Sequence, residues 1–231
     1  MKPVTLLLTR LCLLMALPSA AQTLYDNGPI DGTTNAWAIN FGFVVSDTFT
    51  ADPGQVVTGF DFGAWIFPGD SLSSVDWSIT TAENGGTTYG SGTASAFLNG
   101  SRRGPQGGTL VCSFHSTNQY GFDTGPCDVS GLSVPLGVLG LKPALSTYWL
   151  NLQNGVVASG DPVYWDENSG IGCGGAGCPS MASESAVGTI PSESFTIFGG
   201  SSSGTTPEPS GIMLLGSGIL GLAGLLRRKL F

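Results

Sequence analysis

Residues 74–81 carry the clearest pattern in the chain. Val75, Trp77 and Ile79 alternate with Asp76, Ser78 and Thr80, the two-residue period of a strand with one face in a core. Residues 56–67 alternate as well. Phe60, Phe62, Ala64 and Ile66 take one side, while Asp61, Gly63, Trp65 and Phe67 take the other. The second set is itself partly aromatic, so both faces of this strand are expected to be covered. Residues 37–45 read as a strand with Ile39, Phe41 and Phe43 on one face, continued or restarted over 46–50. In 148–152, Tyr148, Leu150 and Leu152 share a side. Further strands are expected over 87–99, 109–116, 132–141, 162–166 and 194–198.

Turn chemistry separates these segments. Asp52-Pro53-Gly54, Pro68-Gly69-Asp70, Glu83-Asn84-Gly85-Gly86 and Asn154-Gly155 supply the fixed φ of proline or the left-handed tolerance of glycine and asparagine. Roughly nine or ten short strands without helical periods predict an all-β fold, a β-sandwich of jelly-roll type. An immunoglobulin-like sandwich and a closed barrel are the alternatives. No internal repeat suggests a propeller or solenoid.

The two ends follow a different rule. Lys2 and Arg10 precede an apolar run, 11–17, that Pro18 breaks, and Ser19-Ala20-Ala21 offers small residues for cleavage. Residues 1–21 therefore read as a signal peptide, with the mature chain starting at Gln22. At the other end, 210–226 holds no charge and is followed by Arg227-Arg228-Lys229. As a helix rising about 1.5 Å per residue it spans roughly 25 Å, slightly short of a bilayer's roughly 30 Å apolar core. Snorkelling basic side chains make up the difference and hold that end in the cytoplasm. The organisation expected is a signal peptide (1–21), a β domain (22–198), a Gly/Ser/Thr linker (199–206) and a terminal segment (207–231).

Pro207-Glu208-Pro209, the glycine-rich apolar run and the basic cluster Arg227, Arg228, Lys229 together resemble a PEP-CTERM sorting signal. The resemblance covers the last twenty-five residues. It implies an exported bacterial protein in a cell that makes exopolysaccharide, and an exosortase-type membrane enzyme as processing partner. It also implies that the apolar helix is a processing signal, giving membrane association at least before cleavage. The expected location is then the outer surface or extracellular matrix.

Composition narrows the partners. Between 22 and 206 the chain carries three basic side chains, Arg102, Arg103 and Lys142, against fifteen acidic ones, a net charge of −12. Such a domain repels nucleic acid and anionic lipid. Across the whole chain, 36 glycines and 14 prolines with few long charged side chains disfavour helices and favour strands and turns.

Candidate chemistry is sparse. The mature chain has four cysteines, and an even number in an exported protein favours disulfides. Neighbours in sequence suggest Cys112–Cys127 and Cys173–Cys178. Their spacing departs from a zinc knuckle, and no metal or other cofactor is expected. His115 is the single histidine, and no serine elbow between a strand and a helix marks a nucleophile for it. Asp70, Asp76, Asp161, Asp166 and Glu167 are the carboxylates available to a glycosidase pair. The most suggestive segment is 160–170. One reading has Tyr164 and Trp165 offer aromatic faces to a sugar ring while Asp166 and Asn168 hydrogen-bond its hydroxyls; the favoured one makes both aromatics ordinary core or edge residues of the sandwich. The function expected is structural or adhesive, with exopolysaccharide a candidate partner. The alternative is a secreted carbohydrate-active enzyme using paired carboxylates.

Overall fold

A computed structural model of the chain describes residues 22–96, 107–137, 146–170 and 180–201. The segments read as signal peptide (1–21) and sorting signal (207–231), together with Cys173 and Cys178, lie outside the described residues. The described chain is all strand and turn. In order come β1 (Gln22–Asp26), β2 (Ala36–Ala38), β3 (Val44–Ala51), β4 (Gln55–Ile66) and β5 (Leu72–Ala82). Then follow β6 (Gly85–Ala96), β7 (Thr109–Cys112), β8 (Ser116–Thr117), β9 (Asp123–Pro135) and β10 (Ser146–Val157). The last are β11 (Tyr164–Asp166), β12 (Ala182–Glu184), β13 (Gly188–Ile190) and β14 (Phe195–Ser201). Among the described residues no helix is long and apolar enough to cross a membrane.

All fourteen strands belong to one hydrogen-bonded sheet, in the order β1-β14-β4-β9-β7-β6-β5-β10-β3-β12-β13, with β11, β2 and β8 attached beside it. Neighbours are antiparallel except β6 and β7, which pair in parallel, so the sheet is mixed. It curls on itself. Tyr25 of β1 meets Phe49 of β3 at 6.3 Å between ring centroids, although they stand near opposite ends of the strand order. Phe60 of β4 likewise reaches Trp77 of β5 at 6.2 Å. The space enclosed is filled by Phe49, Phe60, Phe62, Tyr148, Trp165 and Phe195, all buried. The alternating sets from β4 and β5 do supply it, since Phe60, Phe62, Ala64, Ile66, Val75 and Ile79 are fully buried.

Four departures from the sequence expectation bear on how the sheet is built. Residues 37–45 are not one strand. After β2 the chain turns at Asn40-Phe41-Gly42, with Phe41 at φ 57° and Gly42 at φ 89°. Ile39 stays in the core, whereas Phe41 and Phe43 are turned out to solvent. Asn154-Gly155 does not turn the chain either. It is a bulge within β10, where pairing to β5 slips between Gln153 and Val156 and Asn154 takes φ 51°. Asn154 tolerates that left-handed backbone and keeps the strand going.

The third departure is β9, which begins at Asp123 rather than near 132. Its early residues, Asp123-Thr124-Gly125-Pro126, read as loop chemistry. Gly125 is needed because a Cβ there would lie 2.0 Å from the carbonyl oxygen of Ser113. Pro126 gives no N–H, but its carbonyl still accepts from Ser113 N at 2.9 Å. The fourth concerns the C-terminal edge. β14 continues through Gly199 and Gly200 to Ser201, paired with Val57, Val56 and Gln55. The first three residues of the expected linker are therefore strand.

Candidate functional site

β11 is only three residues long, yet it decides how the segment 160–170 is presented. It lies antiparallel between β2 and the end of β4, with Tyr164 opposite Trp65 and Ala38, and Trp165 opposite Ala64 and Trp37. Alternation then sends Trp165 to one face and Tyr164 with Asp166 to the other.

Trp165 faces the core and is fully buried. Its ring meets Phe62 and Phe195 edge-on at 6.3 and 5.7 Å, and its Nε1 donates to the carbonyl of Ser194 at 2.9 Å. The solvent-facing reading is thereby corrected for Trp165, because this indole has no free face for a sugar. Asp166 is also fully buried. It accepts from Trp65 Nε1 at 2.8 Å, from Gly32 N at 3.0 Å and from Ser194 Oγ at 3.2 Å. The Asn168 side chain donates to the carbonyl of Asn27 and accepts from the amide of Gly170. Of the four, Tyr164 and Asn168 are half-buried, and Tyr164 lines a cleft.

Tyr164 does so in different company. With Asn35, Ala36, Trp65, Tyr120 and Phe122 it lines a cleft of about 200 Å³. Trp65 and Tyr120 stack at 5.6 Å with planes 27° apart. Phe122 stands edge-on to Tyr164 at 5.4 Å and to Phe67 at 5.0 Å. Tyr120 is 55 % exposed. A short turn holds it there, since Asn118 Oδ1 accepts from the amides of Tyr120 and Phe122. The Tyr120 hydroxyl donates to the Thr34 carbonyl at 3.1 Å and Gln119 Nε2 to that of Thr33 at 3.0 Å, which ties the turn to the 33–35 loop. Burial holds the Tyr164 phenol above its usual range, so it stays a neutral donor and acceptor. The floor of the cleft is polar beneath the surface. Asn35 Nδ2 and Trp37 Nε1 both donate to Glu167 Oε1, at 3.4 and 2.7 Å.

Sequence reading missed Trp65, Tyr120, Phe122 and Asn35. Trp65 had one usable signal, its place on the second aromatic face of β4. Tyr120-Gly121-Phe122 had another, two aromatics separated by a glycine that takes φ 86° within a polar stretch.

Behind the cleft lies a group of buried acids. Asp47, Asp166, Glu167 and Glu193 are all less than one-tenth exposed. Asp47 accepts from the amides of Glu193 and Thr48 at 2.6 Å, and from the side chains of Ser180, Ser192 and Asn27. Burial nevertheless outweighs these donors and lifts its carboxyl to about 7. Asp166 is lifted to about 6, by burial first, with the donations from Gly32, Trp65 and Ser194 pulling the other way.

The other expected chemistry is placed as follows. Cys112 and Cys127 are directly opposed on β7 and β9 and form a disulfide. His115 is exposed at a strand end. Ser159 Oγ donates to Asp70 at 2.6 Å and accepts from the amide of Asp161. Asp76 accepts from Thr93 and Asn154 on another part of the sheet. Among the described residues, no group of three or more His, Cys, Asp or Glu is arranged to hold a metal ion. No protein-family model matches the chain, and no curated protein matches it.

Proposed function

We propose that this is an exported cell-surface or extracellular-matrix protein of structural or adhesive type, whose aromatic cleft seats a polysaccharide. The observation that carries the reading is the cleft itself. Tyr120 and Tyr164 present aromatic surface beside Asn35, on a scaffold that fixes each ring through its neighbours. Sugar rings carry apolar C–H faces between polar edges, and a rigid aromatic wall with a few hydrogen-bonding groups matches both. The absence of Lys and Arg among the described residues favours a neutral polysaccharide over an acidic one. The curled sheet is read as a sandwich of jelly-roll type, a scaffold that presents such surfaces at its rims.

The sorting route in this proposal rests on the ends of the chain. Residues 1–21 direct export. The tail of Pro207-Glu208-Pro209, apolar run and Arg227-Arg228-Lys229 engages an exosortase-type enzyme and holds the protein to the membrane until processing. Intact mass of the native protein, with and without that enzyme, tests the route. A tail retained in both backgrounds would count against it.

Binding to neutral polysaccharides by pull-down and calorimetry tests the site. Tyr120→Ala and Tyr164→Ala are each expected to weaken binding about tenfold, the scale of one lost aromatic contact, while thermal stability is largely retained. Trp165→Ala is expected instead to cost about 3–5 kcal/mol of stability, as a core truncation does. Binding unaffected by both tyrosine variants would remove the cleft as the site.

A further inference from the structure

Glu193 holds a carboxyl that the fold has sealed from water. The residue is fully buried, and neither of its side-chain oxygens has a hydrogen-bond partner. Its surroundings are negative on every side that bears a titratable group. From β3 comes Asp47, which accepts from Glu193's own amide at 2.6 Å. From β11 comes Asp166, whose carbonyl accepts the amide of Ser194 at 2.8 Å, and just after it Glu167, which forms a β-bridge with Glu193. From β1 comes Tyr25, whose hydroxyl donates to Asn27 at 3.0 Å, and Asn27 in turn donates to Asp47 and to the carbonyl of Glu193. No Lys or Arg occurs among the described residues.

The four carboxyls are provided for unequally. Asp47, Asp166 and Glu167 each accept from N–H or O–H donors, which suits an anion. Glu193 accepts from none. A buried charge with neither donors nor a counter-ion is prohibitively costly, and such a group takes up a proton instead. The proton is then the counter-ion of the whole cluster. A neutral Glu193 can also donate to a neighbouring carboxylate, which a charged one cannot.

We propose that Asp47, Asp166, Glu167 and Glu193 form a proton-operated latch, closed while Glu193 carries a proton, that locks residues 180–194 onto β1, β3 and β11. The latched segment includes the β12–β13 hairpin. It is held through Ser180, Ser192 and the amide of Glu193, which all donate to Asp47. Losing the Glu193 proton adds a negative charge to a cluster that already holds three other acidic side chains and drives this segment off. Burial first, then the charges of Asp47, Glu167 and Asp166, raise the Glu193 carboxyl well above its usual range. Because the folded value is the raised one, the stabilisation is complete in acid, below the ordinary carboxylate range. It is lost as pH rises through the folded value.

The test uses the full chain in mild detergent, as wild type and as Glu193→Gln, which mimics the protonated group. Thermal unfolding and amide hydrogen exchange are followed from acid, below the ordinary carboxylate range, through neutral to alkaline pH. In wild type, Tm is expected to fall and residues 180–194 to lose protection, beyond the intrinsic pH dependence of exchange. Glu193→Gln is expected to make both trends shallower, with Asp47 and Asp166 supplying the slope that remains, and to be the more stable protein at the alkaline end. Asp61, outside the cluster, adds the same slope to both proteins and cancels in the comparison. Equal slopes in the two proteins would overturn the proposal. Infrared spectra of wild type give a reading that needs no variant. A protonated-carboxyl carbonyl band should be present in acid and disappear as the 180–194 amides open, and its absence throughout would overturn the latch.

Discussion

Asp61 shows how one carboxylate is managed without a cation. It sits on β4 opposite Asp128 of β9, with Thr196 of β14 on its other side. Its Oδ1 is buried without a hydrogen-bond partner. Burial lifts the carboxyl to about 6, Thr196 donates and lowers it, and the charges of Asp128 and Asp26 raise it again. A raised folded value means the wild type gives up stability as pH climbs from about 4 through about 6. Asp61→Asn removes that titration. It is expected to gain about 1–2 kcal/mol in denaturant unfolding near pH 7.5 and almost nothing near pH 4. Little of this was readable beforehand, because the letter D does not say whether an aspartate on a strand is covered. The same holds at Trp165. An aromatic beside Asp, Glu and Asn looks like a surface feature, but the pairing of β11 with both β2 and β4 turned its ring inward. Phe41 failed differently. Its place in an alternating run concealed a left-handed backbone that few non-glycine residues adopt.

Among the elements, β7 and β9 depend on a covalent tie. β7 has four residues and packs between β6 and β9. The Cys112–Cys127 disulfide closes a sequence separation of 15, which on chain-entropy grounds stabilises the fold by about 3 kcal/mol. Replacing both cysteines with alanine should lower the denaturant midpoint accordingly, with the loss of protection greatest in β7. Gly125 gives a second test in the same strand. With Ser113 O where a Cβ would go, Gly125→Ala should cost about 3 kcal/mol in chemical unfolding, since backbone has to move. Proximity in sequence was enough to foresee the bridge. Strong alternation was enough for β4 and β5, where each inward position is apolar and each turn is marked by proline or glycine. β9 was only half legible, because its first residues are the types that usually end strands and only the close approach of Ser113 explains them. β1, β12 and β13 were not foreseen at all. Strands of five, three and three residues are too short to establish a period, and their place is set by partners distant in sequence.

For the whole molecule, the fifteen acidic groups of the domain all lie within the described residues, alongside one histidine and no Lys or Arg. Long-range electrostatics there are therefore repulsive. Raising sodium chloride from about 10 mM to about 150 mM shortens the screening length from about 30 to about 8 Å and should raise Tm at neutral pH. In a domain held by ion pairs the same change would lower it. The all-β class and the acidic character were plain in composition. The cleft was not, since it gathers residues 35, 65, 120, 122 and 164 from four separate stretches of chain, and no local pattern announces such a meeting.

The first and last strands pair at the sheet edge, Gln22 opposite Gly199 and Asp26 opposite Thr196. The chain thus enters and leaves the domain at neighbouring points, and this gives it a mechanical direction. Tension between those points loads β1 like a zipper, one pair at a time, and peels it away at small force. Tension between the cleft and Ser201 acts differently. Trp65 lies near one end of β4, while Ser201 of β14 is paired with Gln55 at the other. That load shears the ladder lengthwise, so every pair from Phe62 with Phe195 to Gln55 with Ser201 resists at once. The fold is weak between its two ends and strong between its cleft and its exit.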